Sequence, residues 1–340
     1  MSHELEINAN GNANMMYVGQ TPWHGLGQVV DESLQFDMSH CLEASGLDTE
    51  VGLAEMQTIV PTNVVTDDGK PVVNVVNVPE RYTYRKSDGT LFGCVGPRYV
   101  PLQNKEAFQF FQPWLDTKQV GLHTAGALFG GKKVWVLAKI LTDNLEIRKN
   151  DPIESFVLLS NSHDGTTAVR VALTPVRVVC WNTLSMAIRD ESAKFIRIRH
   201  TGQVKDNLEK VREIIDLVKQ EFVATAEQYR ALASRDIYGA DLVRYVKILF
   251  DCDKQDDDSI ATRKKNLMEK VFERFEREKP IAGATWWNAY NAYNYYLCHL
   301  YGADEGRRLD SLWFGTNAKG DAAALDLAMK MSNLIAKNTD

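Results

Sequence analysis

Ten basic residues between positions 81 and 200 have the types and spacing to hold a polyanion: Arg81, Arg85, Lys86, Arg98, Lys132, Lys133, Arg170, Arg177, Arg197 and Arg199. Several recur at every second position of β-like segments, which places them on one face of a strand. In RYTYRKSDGTLFGCV, Arg81, Thr83 and Arg85 share one face while Tyr82, Tyr84 and Lys86 share the other; in FIRIRH, Arg197 and Arg199 alternate with Ile196 and Ile198. Lys and Arg neutralise phosphates and aromatic rings stack bases. The interleaving, with Tyr82, Tyr84 and Trp135 as the stacking candidates, is therefore the pattern of a groove that tracks nucleic acid. The plainer reading is a solvated basic sheet face.

Other arrangements carry less. Gly126 to Lys133 (GALFGGKK) has the spacing of a phosphate-binding loop as far as Lys132, but Lys133 stands where magnesium binding needs Ser or Thr. The VWVLAKI that follows is a strand pattern, so the loop lacks the helix N-terminus whose amides and dipole hold phosphate. His163 and Asp164 pair a base with a carboxylate, yet adjacent residues point apart and NSHDG is turn chemistry. His24 lies in a glycine-rich loop, Thr21 to Gly27, that reads as packed structure, and His40-Cys41 has no partner at metal-ligand spacing. The seven aromatics between Trp286 and Tyr301, with Asn288, Asn291 and Asn294 three apart, are a stacking platform or a core; the core reading is preferred. No catalytic residue, cofactor or metal ligand is assigned.

The elements that must position these groups change character along the chain. From Gln57 to about Ile140, β-branched and aromatic residues alternate between turn dipeptides, with hairpins at Ser87-Asp88-Gly89 and Gly130-Gly131. LQNKEAFQFFQPWLD between them reads as one short helix. SFVLLS, TTAVRVAL, PVRVVCWNTL and FIRIRH continue the strands. After Gly202 the apolar period lengthens to about three and a half: a long amphipathic helix from Leu208 to Leu232, a charged helix through Lys279 broken by Pro280, a helix capped by Thr285, and an Ala-rich helix from about Asp321 to Lys337. The predicted class is α+β: an antiparallel, hairpin-rich sheet with a helix, followed by a helical C-terminal part. The predicted division is a flexible tail over 1–15, a mixed domain over 16–202 containing the basic strands 81–200, and a helical region over 203–340.

Charge is segregated along these divisions. Residues 1–80 hold one Lys and twelve acids, 81–200 hold seventeen basic residues and ten acids, and 201–340 hold twenty-one and twenty-three, which sum to the net −6 of the 340 residues. The five cysteines, Cys41, Cys94, Cys180, Cys252 and Cys298, form no C-x-x-C pair and read as reduced thiols. The opening residues lack a basic start and apolar run, and about eighteen apolar residues nowhere run together, so neither export nor a membrane span is expected.

The Thr21-Pro22-Trp23-His24-Gly25-Leu26-Gly27 loop, the run LSNSHDGTTAVRVALTPVRVVCWNTL over Leu159 to Leu184, and Trp286-Trp287-Asn288-Ala289-Tyr290-Asn291-Ala292 resemble the phage/plasmid-like family called domain of unknown function 932. The resemblance implies a gene carried by phages, prophages or plasmids and expressed in a bacterial cytoplasm, and it transfers no catalytic residue. In layout alone, the hairpin-rich sheet with basic faces is similar to Rad52/RecT-type single-strand annealing proteins, which pair complementary strands without ATP. The expectation is a phage-type DNA-binding protein, with single-stranded DNA binding or annealing in recombination or replication as its activity, oligomeric through its helical part, with the acidic first eighty residues either covering a neighbour's groove or competing with DNA for it. The rival expectations are a protein-binding antagonist of a host factor and, with less behind it, a metal-dependent hydrolase.

Overall fold

Val, Ile, Phe, Tyr and Thr at period two build strands through the first two hundred residues, and the longer period after them builds helices. The computed structural model describes residues 6–7, 11–19, 27–141, 145–148, 151–177, 195–208, 226–301 and 316–338. The protein is α+β. In chain order its strands are β1 (Met15–Val18), β2 (Gln28–Val30), β3 (Val51–Val65), β4 (Pro71–Arg85), β5 (Leu91–Val95), β6 (Val120–Leu128), β7 (Lys133–Ile140), β8 (Leu145–Arg148), β9 (Asp151–Ser162), β10 (Val169–Arg177) and β11 (Phe195–Ile198). The large sheet runs β11-β10-β9-β7-β6-β1-β2, with β8 on β9; all pairs are antiparallel except β1 with β2.

Side-chain alternation gives this sheet two apolar faces. On β7, Val134, Val136 and Ala138 point to one side, and Trp135 and Leu137 to the other. The first face is covered by α1 (Met38–Ala44), α2 (Asn104–Gln109) and α3 (Gln112–Asp116), with Phe108, Phe110, Phe111 and Leu115 fully buried between the layers. The second face is covered by helical residues 226–233, then α4 (Gly239–Leu249), α5 (Thr262–Ala282), α6 (Trp286–Tyr295) with its π-helical turn Tyr296–Leu300, and α7 (Thr316–Asn338). Met15, Tyr17, Trp135, Leu137, Phe156 and Leu158 share one core with Trp286, Trp287, Tyr290, Leu325 and Ala328. The sheet and the helical region are therefore joined by a common interior.

The aromatic run after Trp286 is core, as expected. Trp286, Trp287, Tyr290, Tyr293 and Tyr296 are buried, and Thr285 caps the helix by accepting from the Asn288 amide at 3.3 Å. Asn294 and Tyr290 both donate to the buried Asp321, at 2.5 and 3.1 Å. Other local readings change. Pro280 does not end the charged helix, which runs on to Ala282 and stops where Gly283 takes a φ of 70°. A proline this near a C-terminus still removes a donor, yet the end is set by the residue able to turn left-handed. The single helix expected over LQNKEAFQFFQPWLD is two, because Pro113 starts a second one in its first turn. The described part of the opening segment is tied down: the Glu6 amide donates to the Ala127 carbonyl at 3.1 Å, and Ala13 and Asn14 are buried. Most of the amphipathic helix expected over Leu208 to Leu232, and the loop around His24, lie outside the described residues.

The second sheet is β3-β4-β5. Among the described residues β5 pairs only with the Arg81–Tyr84 end of β4. Beyond it β3 and β4 continue without a third strand among the described residues, from Met56 opposite Val78 to a turn in which the Thr66 amide donates to Lys70 O at 2.8 Å. This two-stranded ribbon carries exposed Ile59, Val60, Val64, Val65, Val72, Val73, Val75 and Val76.

Candidate nucleic-acid interface

The sheet topology brings the basic candidates together. Lys133 of β7 lies opposite Ser162 at the end of β9, and Val169 at the start of β10 lies opposite Ile198 at the end of β11. The 129–132 turn, the 163–167 loop and the end of β11 are thus at one end of the sheet, with Lys132, Lys133, Arg170, Arg197 and Arg199. Arg177 is at the other end, opposite Ile153, and its side chain lies outside the described residues. The smaller sheet docks where the 163–167 loop emerges: a Cβ on Gly93 would come within 2.6 Å of the Asp164 carbonyl oxygen, so only glycine permits this approach. Docking carries Arg81, Arg85, Lys86 and Arg98 to the same end.

Convergence does not leave all of these charges open. Arg85, 13% exposed, pairs with Glu6, reaches Asp88 at 3.4 Å, donates to Gly130 O at 3.1 Å and lies over the Phe92 ring. Arg81 donates to the carbonyls of Pro97 and Tyr99. Lys86 holds Glu50 at 2.7 Å, and that hydrogen bond keeps the Glu50 carboxyl below its usual range. Glu6 and Glu50 belong to the acidic first eighty residues, so these carboxylates meet basic groups within the same chain. Lys133 sits over the Phe129 ring at 5.5 Å. Lys132 is half-buried in the β6–β7 turn. The GALFGGKK segment is this hairpin turn, followed by a strand and not by a helix.

Of the stacking candidates, Trp135 is withdrawn from the surface. It is 2% exposed, and its indole donates to the Thr124 hydroxyl at 3.2 Å. It faces the helical layer, a side that the strand alternation could not distinguish from solvent. Tyr82 and Tyr84 are half-buried on the smaller sheet, with the Tyr84 ring lying over the backbone of Gly52.

Three arginines remain exposed and pair with no acid among the described residues: Arg98, Arg197 and Arg199. They meet at one corner. The Val100 amide donates to His200 O at 3.1 Å, and the Tyr99 ring stacks on the His200 ring at 4.6 Å. Arg98 and Arg199 therefore flank a contact between neighbouring residues. Arg197 lies on β11, the outermost of the described strands on this side of the sheet, directly opposite Arg170.

Beneath the corner is a buried polar layer that the sequence reading did not assemble. The Tyr99 hydroxyl donates to Ser162 O at 2.9 Å, Asn161 Nδ2 donates to Leu102 O at 3.1 Å, and His163 Nε2 meets Asn104 Oδ1 at 2.9 Å. Burial pushes the His163 imidazole down to about 3, so it is neutral at pH 7, and burial also lowers His200. His163, 1% exposed, cannot reach a substrate. Burial opposes ionisation of Asp164, but hydrogen bonds from the Ser162 and Thr166 hydroxyls and the Thr166 amide hold its carboxyl below the usual range. His163 and Asp164 thus serve different partners, and the loop acts to position its neighbours.

Among the described residues no three His, Cys, Asp or Glu side chains gather as metal ligands, and no helix is long and apolar enough to cross a membrane. A family model described as Domain of unknown function (DUF932) matches residues 91–313, which span β5 through the aromatic helix and contain the whole arginine corner. Searches of curated proteins and of solved structures each found no match.

Proposed function

Because the chain belongs to the family of domain of unknown function 932, whose name assigns no activity, we infer its function from its own surface and propose that it binds single-stranded DNA at the arginine corner. The observation that carries this reading is the exposure of Arg98, Arg197 and Arg199 without carboxylate partners among the described residues. Three guanidiniums on β11 and its neighbouring loop can follow successive phosphates of a flexible strand. Tyr82 and Tyr84 are the aromatic faces nearest in kind to those that stack bases. In this reading the protein is of the phage or plasmid type, works in the bacterial cytoplasm and anneals strands without ATP, as Rad52/RecT-type proteins do. The hairpin geometry of GALFGGKK supports the ATP-independent part. The rival reading, a carboxylate surface offered to a host protein, is weaker because Arg85 and Lys86 engage Glu6 and Glu50 in cis.

Titration of a fluorescent single-stranded oligonucleotide at rising salt tests the proposal. Three phosphate contacts give a slope of log K against log salt of about −2, and Arg197→Ala with Arg199→Ala brings it to about −0.7. Absence of binding at about 50 mM salt, or an unchanged slope in the double variant, overturns the proposal.

A further inference from the structure

Among the described residues the β3–β4 ribbon has no apolar neighbour of its own to explain its composition. From Met56 to Val78 its only charged residues are Asp67, Asp68 and Lys70, all at the turn. Residues that share a face are those directly opposite: Ile59 with Val75 and Pro61 with Val73 make an unbroken apolar quartet, bounded at the base by the hydrogen-bonded Gln57–Asn77 pair. Ile59 is 66% and Val75 62% exposed, and Val64 and Val65, 61% and 64% exposed, extend the apolar surface to the tip. We propose that this ribbon is a self-association arm, which packs along its length against the same ribbon of a second copy of this chain.

Charge and area select that occupant. A stem without charges offers nothing to phosphates or to a charged peptide, whereas it complements another uncharged stem. At roughly 100 Å² of apolar surface per branched side chain, eight half-exposed residues present on the order of 400 Å². That reaches the largest apolar patches of ordinary monomers, about 300–600 Å². Two such arms together contribute about 800 Å² of apolar surface. At the roughly 65% apolar share of homodimer interfaces, this implies a total of about 1,200 Å², within the range of stable pairs.

The strong twist of an isolated ribbon turns successive parts of both faces toward one side, so two ribbons can coil around a single seam. Association by extending the sheet edge is discouraged. Pro61 on β3 and Pro79 on β4 each remove a backbone donor, and each lies at a register shift. The helices, the element first expected to mediate assembly, place their aromatic face on the sheet of their own chain. The arm stands independently of whether the corner binds DNA.

Sedimentation of the full chain at about 50 µM, well above a micromolar dissociation constant, tests the arm. The wild type sediments at twice 38.3 kDa, and Ile59→Lys with Val75→Lys returns it to the single mass, a weakening of dimerisation of more than about a hundredfold. The tip variant Val64→Lys with Val65→Lys weakens the dimer in the same direction, and Arg197→Glu leaves it intact. Unchanged circular dichroism and melting show that both arm variants are folded. A wild type of single mass overturns the proposal, including one whose arm is instead covered by a different protein. A dimer that survives both pairs of lysines, or one lost in Arg197→Glu, also overturns it.

Discussion

Arg170 on β10 and Arg197 on β11 stand directly opposite each other across an antiparallel pair, two like charges in the position where strands usually place complementary ones. Such a pair lowers stability by about 0.2–1 kcal/mol. Arg197→Thr, which keeps a β-former on β11, is expected to raise stability by about 0.5 kcal/mol in urea titration. The same variant is expected to weaken oligonucleotide binding. A destabilised variant would mean that Arg197 is a structural residue.

Arg85 separates structure from binding in the other direction. Its guanidinium joins Glu6, Asp88, the Gly130 carbonyl and the Phe92 ring at the seam between the two sheets. Arg85→Met leaves Glu6 without its cation and is expected to cost about 3 kcal/mol, read as a lowered urea midpoint. The salt slope of DNA binding in the surviving folded fraction should stay as in the wild type.

Acid should unfold this protein through its histidines. Burial pushes His163 down to about 3 and His123 to about 4, both below the unfolded value near 6.5. Between those limits the unfolded chain takes up protons that the native chain refuses. The stability from neutral imidazoles is therefore present above pH 6.5 and is lost as pH falls toward 4. Asp321 acts oppositely: burial raises its carboxyl to about 6, so its native proton stabilises the fold below pH 4 and that contribution disappears as pH rises through 6. Two imidazoles, each shifted further than the one carboxyl, outweigh it. The melting temperature should fall from pH 7 to pH 4, and Asp321→Asn should steepen the fall while raising stability at pH 7. A melting temperature independent of pH across this range would contradict the assignment.

Much of this architecture is legible in residue order. Ile196 and Ile198 have to be buried, so Arg197 and Arg199 have to face outward, and they do. The same alternation at Arg81, Thr83 and Arg85 has another outcome because the smaller sheet docks on the larger, and the side that carries the arginines becomes a seam. Trp135 is hidden for a related reason. Strand periodicity states which residues share a face, and a covering layer more than ninety residues later in the chain decides whether that face meets water. The polar layer of Tyr99, Asn104, Asn161 and His163 escapes notice because its members are spread over sixty-five positions and meet only through the fold. The ribbon escapes because alternating valines read alike whether their cover is local or supplied by another molecule.

The shared interior of sheet and helices also sets a clock during synthesis. Trp135, Leu137, Phe156 and Leu158 leave the ribosome long before α5, α6 and α7, which cover them. At about 5–20 residues per second, the last 140 residues take roughly 7–28 s to arrive. Throughout that interval the nascent sheet presents an uncovered apolar face and depends on chaperones or on the speed of translation. A chain terminated near residue 203 keeps that face bare permanently and should be recovered in inclusion bodies, whatever the apparent boundary in its sequence.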